Sequence, residues 1–241
     1  MEALENVANL QAQAHLERER RVISRSLQKL LVPGPNFALT IQSDPERAEV
    51  ESFIANKFDQ YHNARVTGFM PALLNIRSDD DYSAALGICP AKFGPLFLEQ
   101  YLDQPAEQAV ATVIRAPVSR ESIVEIGNLV STLNGSTALL YLVLVAVLHR
   151  AGYQWVMFTA TPEVQRSIEK LGFKIAPVCT ADPSRLDNPQ QWGSYYDVSP
   201  QVMVGFIGDS YQSCLENQLL DAVLHLTESA ITELAQNLAI L

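Results

Sequence analysis

The stretch EIGNLVSTLNGSTALL, residues 125–140, passes from strand-like alternation into an apolar helical run through Asn134-Gly135-Ser136-Thr137. One helix length later, WVMFTAT (155–161) reads as a second strand. A strand, a crossover helix and a neighbouring strand favour a right-handed parallel unit inside a larger sheet. An α/β domain is therefore expected. At the join, Gly135 lets backbone approach a ligand, and the helix start carries unpaired N–H groups at the positive end of its dipole. An anion fits there. Ordinary capping by Asn134 or Ser136 is the alternative and stays open.

Around this unit the chain reads β-α-β-β, with a strand over 37–41, a helix from Ser43-Asp44-Pro45-Glu46 to Tyr61, and a hairpin of 71–77 with 82–88. Residues 95–102 and 105–113 are short helical candidates with Pro near their starts. Ser122–Val130 is a strand, Gly135–Ala151 a helix, Gln154–Ala160 a strand and Pro162–Leu171 a helix. Residues 181–200, rich in Pro, Asp, Asn and Ser, read as a long loop, followed by a strand over 202–207. The division expected is a helical arm over 1–32, the main domain over 33–210, and a C-terminal helical segment over 211–241.

Composition narrows the function classes. With 241 residues, 48% hydrophobic and 18% charged, the chain can bury a large core. A formal charge of -10 argues against nucleic-acid binding, because phosphate neutralisation needs clustered Lys and Arg. The N-terminus lacks a basic region followed by an apolar one, so no secretory signal and a cytoplasmic protein are expected. The longest apolar run, 138–148, is well short of the ~20 residues of a membrane-spanning helix. Membrane contact is left to the N-terminal arm, whose other reading is packing against the body or a neighbouring subunit. Cys89, Cys179 and Cys214 show neither disulfide nor zinc spacing and read as buried, reduced thiols; no metal site is expected.

The P-loop, the dinucleotide fingerprint and the serine-hydrolase GxSxG are all absent. The order of elements, with the helix ending in Leu171-Gly172-Phe173, resembles the GNAT acyltransferase superfamily. That resemblance implies a mixed, mostly antiparallel sheet with a splayed central strand, helices on both faces, and extra helices at both ends. It further implies that the loop and helix start after the splayed strand hold the pyrophosphate of an acyl-CoA. The usual loop residues are replaced by Thr132 and Thr137, the common tyrosine general acid by Ile168, and a cofactor-contacting Asn by Thr161. FLEQYLD (97–103), VEIGNLV (124–130), HRAGYQWVMFTAT (149–161), ADPSRL (181–186) and WGSYYD (192–197) are similar to the thermostable hemolysin family of bacterial proteins. Its layout resembles acyl-homoserine-lactone synthases and N-acyl amino acid synthases.

What the resemblance implies is N-acyl transfer from an acyl thioester, carried by acyl-carrier protein phosphopantetheine or by CoA, to a small amine or amino acid, with no tightly bound cofactor. The other reading is a GNAT-like protein without catalysis that acts on membranes or binds a partner. In the first reading, amides of Leu129, Val130 and Ser131 hold the pantetheine arm, and Asn134, Gly135, Ser136 and Thr137 hold phosphate. Acyl transfer to an amine needs a base and donors for an oxyanion. Glu125, in an apolar strand, and Glu99, in FLEQYL, are the candidate bases, since burial raises a carboxyl pKa. Asn128 is a candidate to polarise a carbonyl, or else a structural group at a bulge near Gly127. Tyr195 is a candidate acid, and Tyr101, Trp192 and Tyr196 candidate substrate contacts. The histidines, His62 among them, are scattered over helices and suggest no catalytic set.

Overall fold

The computed structural model describes residues 34–78, 81–132 and 134–240, so the arm expected over 1–32 lies outside the described residues. Strands β1 (Asn36–Ile41), β2 (Ala72–Ser78), β3 (Asp81–Pro90) and β4 (Ile123–Ser131) form an antiparallel meander. Strand β5 (Trp155–Ala160) adds parallel to β4, as the crossover rule requires. Strand β7 (Gln201–Phe206) then inserts between β5 and β6 (Ile175–Thr180), giving the order β1-β2-β3-β4-β5-β7-β6. The sheet is mixed and mostly antiparallel, with helices on both faces.

Strand alternation decides which helices cover which face. Val124 and Ile126 of β4 join the core of α3 (Asn134–Arg150), whereas Ile123, just before Val124, packs with Met157 of β5 in the opposite layer. Helix α3 is apolar all round, with Leu139, Leu140, Leu142 and Val143 wholly buried. Such a helix needs cover on every side. The sheet supplies one side, and α5 (Ile207–Glu216), α6 (Gln218–Leu226) and α7 (Glu228–Ala239) supply the other through Cys214, Leu224 and Leu238. Helix α4 (Pro162–Lys170) joins the same layer through Ile168, while α1 (Arg47–His62) and α2 (Ala106–Ile114) lie across the sheet.

Strands β4 and β5 stay in register only from Ile123↔Trp155 to Ile126↔Phe158, although both continue further. A bulge explains the parting. Ala85 and Gly87 of β3 face Val130 and Gly127 of β4, so β4 carries an extra residue there. Asn128 sits in the left-handed region at φ 51, a conformation Asn tolerates better than most residues. The bulge increases local twist and swings the end of β4 away from β5.

Several expected elements differ. Strand β6 was unanticipated, because Pro177 disguises it; on an edge strand a missing N–H is tolerated. Residues 95–102 form only a 3-10 turn at Phe97–Tyr101, and the 181–200 loop holds three further 3-10 turns. The C-terminal segment breaks into three helices, where Asn217 caps α6 by accepting from Leu219 and Leu220 N–H at 3.1 and 3.3 Å. Asp44 does not cap α1; its Oδ2 accepts from Ile41 N–H at 2.8 Å instead, and α1 starts at Arg47. Among the described residues no helix is long and apolar enough to cross a membrane.

Candidate active site

Where β4 and β5 part, a cleft of about 880 Å³ opens through the sheet. Its walls come from both layers: Phe58, Trp192 and Tyr195 on one side, Leu144, Val145 and Ile168 on the other. The open edge of β4 from Gly127 to Ser131 runs along it, with no β5 partner beyond Ile126. The expected thioester-binding residues Leu129, Val130 and Ser131 therefore all face the cleft.

Glu125 stands on β4 just before the splay and is 2% exposed. Its Oε2 accepts from Phe97 N–H at 2.7 Å and its Oε1 from Leu98 N–H at 3.0 Å. The carboxyl thus satisfies the first N–H groups of the 97–101 turn, donors that a helical turn leaves unpaired. Burial pushes its pKa up to about 8, against the lowering effect of those two hydrogen bonds. It also lines the cleft, which makes it a buried group able to change charge near neutral pH.

Glu99 is placed differently. Its oxygens accept from Leu96 N–H at 2.7 Å, Ala106 N–H at 2.8 Å and the Arg120 guanidinium at 2.7 and 2.9 Å. The Arg120 hydrogen bonds, offset in part by burial, bring its pKa down to about 2. Arg120 also holds the carbonyls of Ala91 and Gly94 and the carboxylate of Glu107. These contacts revise the expectation of a base at Glu99: its lone pairs are occupied, and it is not among the residues lining the cleft. It ties three segments together.

The 181–200 segment forms the aromatic roof. It is fastened to the end of α1, with His62 C=O accepting from Ser194 N–H at 2.9 Å and Arg65 N–H donating to Gln191 C=O at 2.6 Å. Gly193 makes this approach possible: at φ 52, a Cβ there would lie 1.9 Å from the His62 carbonyl oxygen. Trp192 touches the rings of Phe58, Phe97, Tyr195 and Tyr196. The Tyr101 and Tyr196 hydroxyls hydrogen-bond each other, and Tyr195 donates to Thr159 C=O at 3.3 Å. Burial raises the pKa of all three tyrosines. For Tyr195 that makes proton donation harder than for a free phenol, which weighs against its expected part as the acid.

His62, which the sequence singled out for nothing, lines the same cleft. Its ring meets Tyr195 edge-on at 5.3 Å. Burial lowers its pKa below the usual 6.5, opposed by the charge of Glu163, which favours the neutral ring. No local pattern announces such a residue, because it ends a helix whose contacts with the roof are set by the tertiary fold.

Asn128 lines the cleft, but both ends of its amide are engaged: Oδ1 accepts from Met70 N–H at 2.9 Å and Nδ2 donates to Gly68 C=O at 3.2 Å. With Arg47, which donates to Met70 C=O at 2.6 Å and Pro71 C=O at 3.1 Å, it pins the segment after α1 over the bulge. Of the expected phosphate cradle, Thr137 lines the cleft and shares a 2.5 Å hydrogen bond with Ser131. Gly135 and Ser136 are buried and are not among the lining residues, so the structure separates them from the cleft. Helix α3 begins at Asn134, one residue earlier than expected, so neither Asn134 nor Ser136 stands before its first turn as a cap. Thr161, in place of the superfamily's Asn, caps α4 by accepting from Val164 N–H at 3.4 Å.

The three cysteines are free; Cys214 is buried as expected, whereas Cys89 and Cys179 are partly exposed. Among the described residues no group of three or more His, Cys, Asp or Glu could hold a metal ion.

Solved structures share this architecture. TofI, solved in a ternary complex with an inhibitor and MTA, is similar at 12% identity and a TM-score of 0.54 over 77% of this chain and 96% of its own. BjaI, a CoA-dependent acyl-homoserine lactone synthase solved with SAM and isopentyl-CoA, is similar at 13% identity and a TM-score of 0.50, over 80% of this chain and 89% of its own. The fold these structures share with the chain is the GNAT-like one. No curated protein matches the chain. Residues 40–211, which span the sheet from the end of β1 onward, the cleft and its aromatic roof, match the thermostable hemolysin family, and the chain belongs to that family.

Proposed function

We propose that the protein is an N-acyltransferase that moves a long acyl chain from an acyl thioester, on acyl-carrier protein or CoA, to a small amine or amino acid. One observation carries this reading: Glu125, a buried carboxyl with a pKa of about 8, lines a cleft whose other wall is largely hydrocarbon. In this reading the open β4 edge at 129–131 holds the pantetheine arm, and Thr137 and Ser131 lie toward its phosphate end. The acyl chain runs between α3 and α4, past Leu144, Val145 and Ile168. Ionised Glu125 takes a proton from the acceptor ammonium. The free amine then attacks the thioester carbonyl, the tetrahedral intermediate expels the thiolate, and an amide and a thiol result. His62, whose neutral form burial favours, is a further proton acceptor lining the cleft, and Trp192, Tyr101 and Tyr196 shape the acceptor side.

Incubating the protein with an array of acyl-CoA and acyl-carrier-protein donors and amine acceptors, and following thiol release, tests the reading. Acceptor-dependent release is expected. The second reading is a catalytically inactive protein that acts on membranes or binds a partner. It is favoured by the fact that Lys57 is the one Lys or Arg among the described residues lining the cleft, which leaves donor phosphates little cationic help from them. Lysis of pure liposomes without any acyl donor, together with no thiol release from any pair, would establish that reading instead.

A further inference from the structure

The α3 wall of the cleft carries a buried hydroxyl that has no hydrogen-bond partner among the described residues. On α3, Thr137, Tyr141, Leu144 and Val145 fall on one helical face and all line the cleft. Tyr141 is 6% exposed. Its hydroxyl oxygen is fully buried and has no hydrogen-bond partner among the described residues. The other hydroxyls of this wall are satisfied: Ser167 donates to Glu163 C=O at 3.0 Å, Ser210 to Phe206 C=O at 3.2 Å, and Thr137 pairs with Ser131. The lining residues that share Tyr141's hydrophobic cluster include Val156, Phe158, Ile168, Phe173 and Ile175. A buried donor left without a partner is unfavourable, and a native protein seldom carries one without a reason.

We propose that Tyr141 selects an acyl chain bearing an oxygen substituent, a hydroxyl or a keto group, over the plain saturated chain of the same length. The inference rests on the acyl-chain slot of the proposed function and names the chemical class of its occupant. A saturated chain fills the slot and leaves the phenol unpaired. A chain with an oxygen at the right carbon accepts the Tyr141 hydrogen bond in a setting where no water competes for it. The substituent is set back from the reacting carbonyl, because Tyr141 belongs to the α3 wall and Glu125 projects to the other face of the sheet.

The test compares the full chain with its Tyr141→Phe variant, which removes one oxygen and keeps the ring. Calorimetric titration uses dodecanoic acid and a series of its hydroxy and keto derivatives that differ in the substituted carbon. For the unaltered protein we expect one substitution position to bind about tenfold more tightly than the plain chain, as one added hydrogen bond of about 1.4 kcal/mol would give. In Tyr141→Phe that preference disappears while the plain chain binds as well or better. Equal preferences in both proteins would overturn the proposal and leave the acyl slot standing. Weaker binding of every chain by the variant, plain and substituted alike, would also overturn it, assigning the hydroxyl to the common carboxyl end. If no chain bound either protein, the acyl-slot reading itself would fall.

Discussion

Glu125 Oε2 accepts a 2.7 Å hydrogen bond from the backbone N–H of Phe97, 28 residues earlier in the chain. That bond joins the strand beside the splay to the turn that carries Tyr101 and supports the aromatic roof. The same carboxyl is a structural cap and the candidate base. Glu125→Gln separates the roles, since the amide keeps the shape and one acceptor but does not titrate. Loss of a general base is expected to lower turnover about 10²–10⁴-fold. In the unaltered protein thiol release should rise with pH to about 8, and the variant should lack that rise. Undiminished turnover in the variant removes Glu125 as the base.

The two carboxylates should leave opposite marks on stability. Glu99 has a folded pKa of about 2, below its unfolded value near ~4.3, so its contribution is present above pH ~4.3 and is lost as pH falls toward 2. Glu125 has a folded pKa of about 8, so it lowers stability progressively as pH rises from ~4.3 to 8 and no further beyond. Urea denaturation across pH should show Glu99→Gln destabilised by about 2 kcal/mol at pH 6, with the gap to the unaltered protein closing in acid. Glu125→Gln should instead flatten the decline between pH 5 and 8.

His62 is expected to act through its neutral ring. Replacing His62 by Gln keeps a polar side chain and removes its titration, so below pH 6.5 any steepening of the rate profile beyond the limb set by Glu125 should vanish. A limb that persists unchanged in the variant belongs to another group.

Asn128 is expected to matter for stability before chemistry. Asn128→Ala loses the bonds to Gly68 and Met70 and places Ala at a positive φ, a loss of about 2–3 kcal/mol in denaturant titration. Asn128→Gly relieves the backbone part and should lie between. Equal stability of all three proteins, with activity reduced in both variants, would make Asn128 a catalytic group after all.

Gly193→Ala should displace the roof. Its Cβ would meet the His62 carbonyl at 1.9 Å, and its φ of 52 disfavours any side chain, so about 2 kcal/mol or more of stability should go. Because Trp192 is the adjacent residue, its fluorescence should shift toward that of an exposed indole.

The long elements were legible in the sequence because their signals are local. The apolar run of α3 between two strands announced the parallel β4–β5 pair, and the motifs FLEQYL, VEIGNLV and WGSYYD announced the family. Strand β6 was hidden because Pro177 is unfavourable in any strand except one whose neighbour lies on a single side, and edge position is a property of the whole sheet. Glu125 was legible as a carboxylate within an apolar strand, but no sequence signal distinguished it from Glu99. That difference lies in partners: Arg120 and two backbone N–H groups hold one charged, while burial holds the other near neutrality.

By itself, then, the sequence determined the longer elements around the cleft and the strand–helix–strand unit, since hydrophobic period and turn chemistry act over a few residues. Only the tertiary structure decided which of those residues share a cavity. His62, Asn128, Tyr141 and Trp192 come from a helix end, a bulge, a buried helix face and a distant loop. Their meeting depends on where β4 leaves β5, which follows from the packing of both helical layers on the sheet and of the roof against α1.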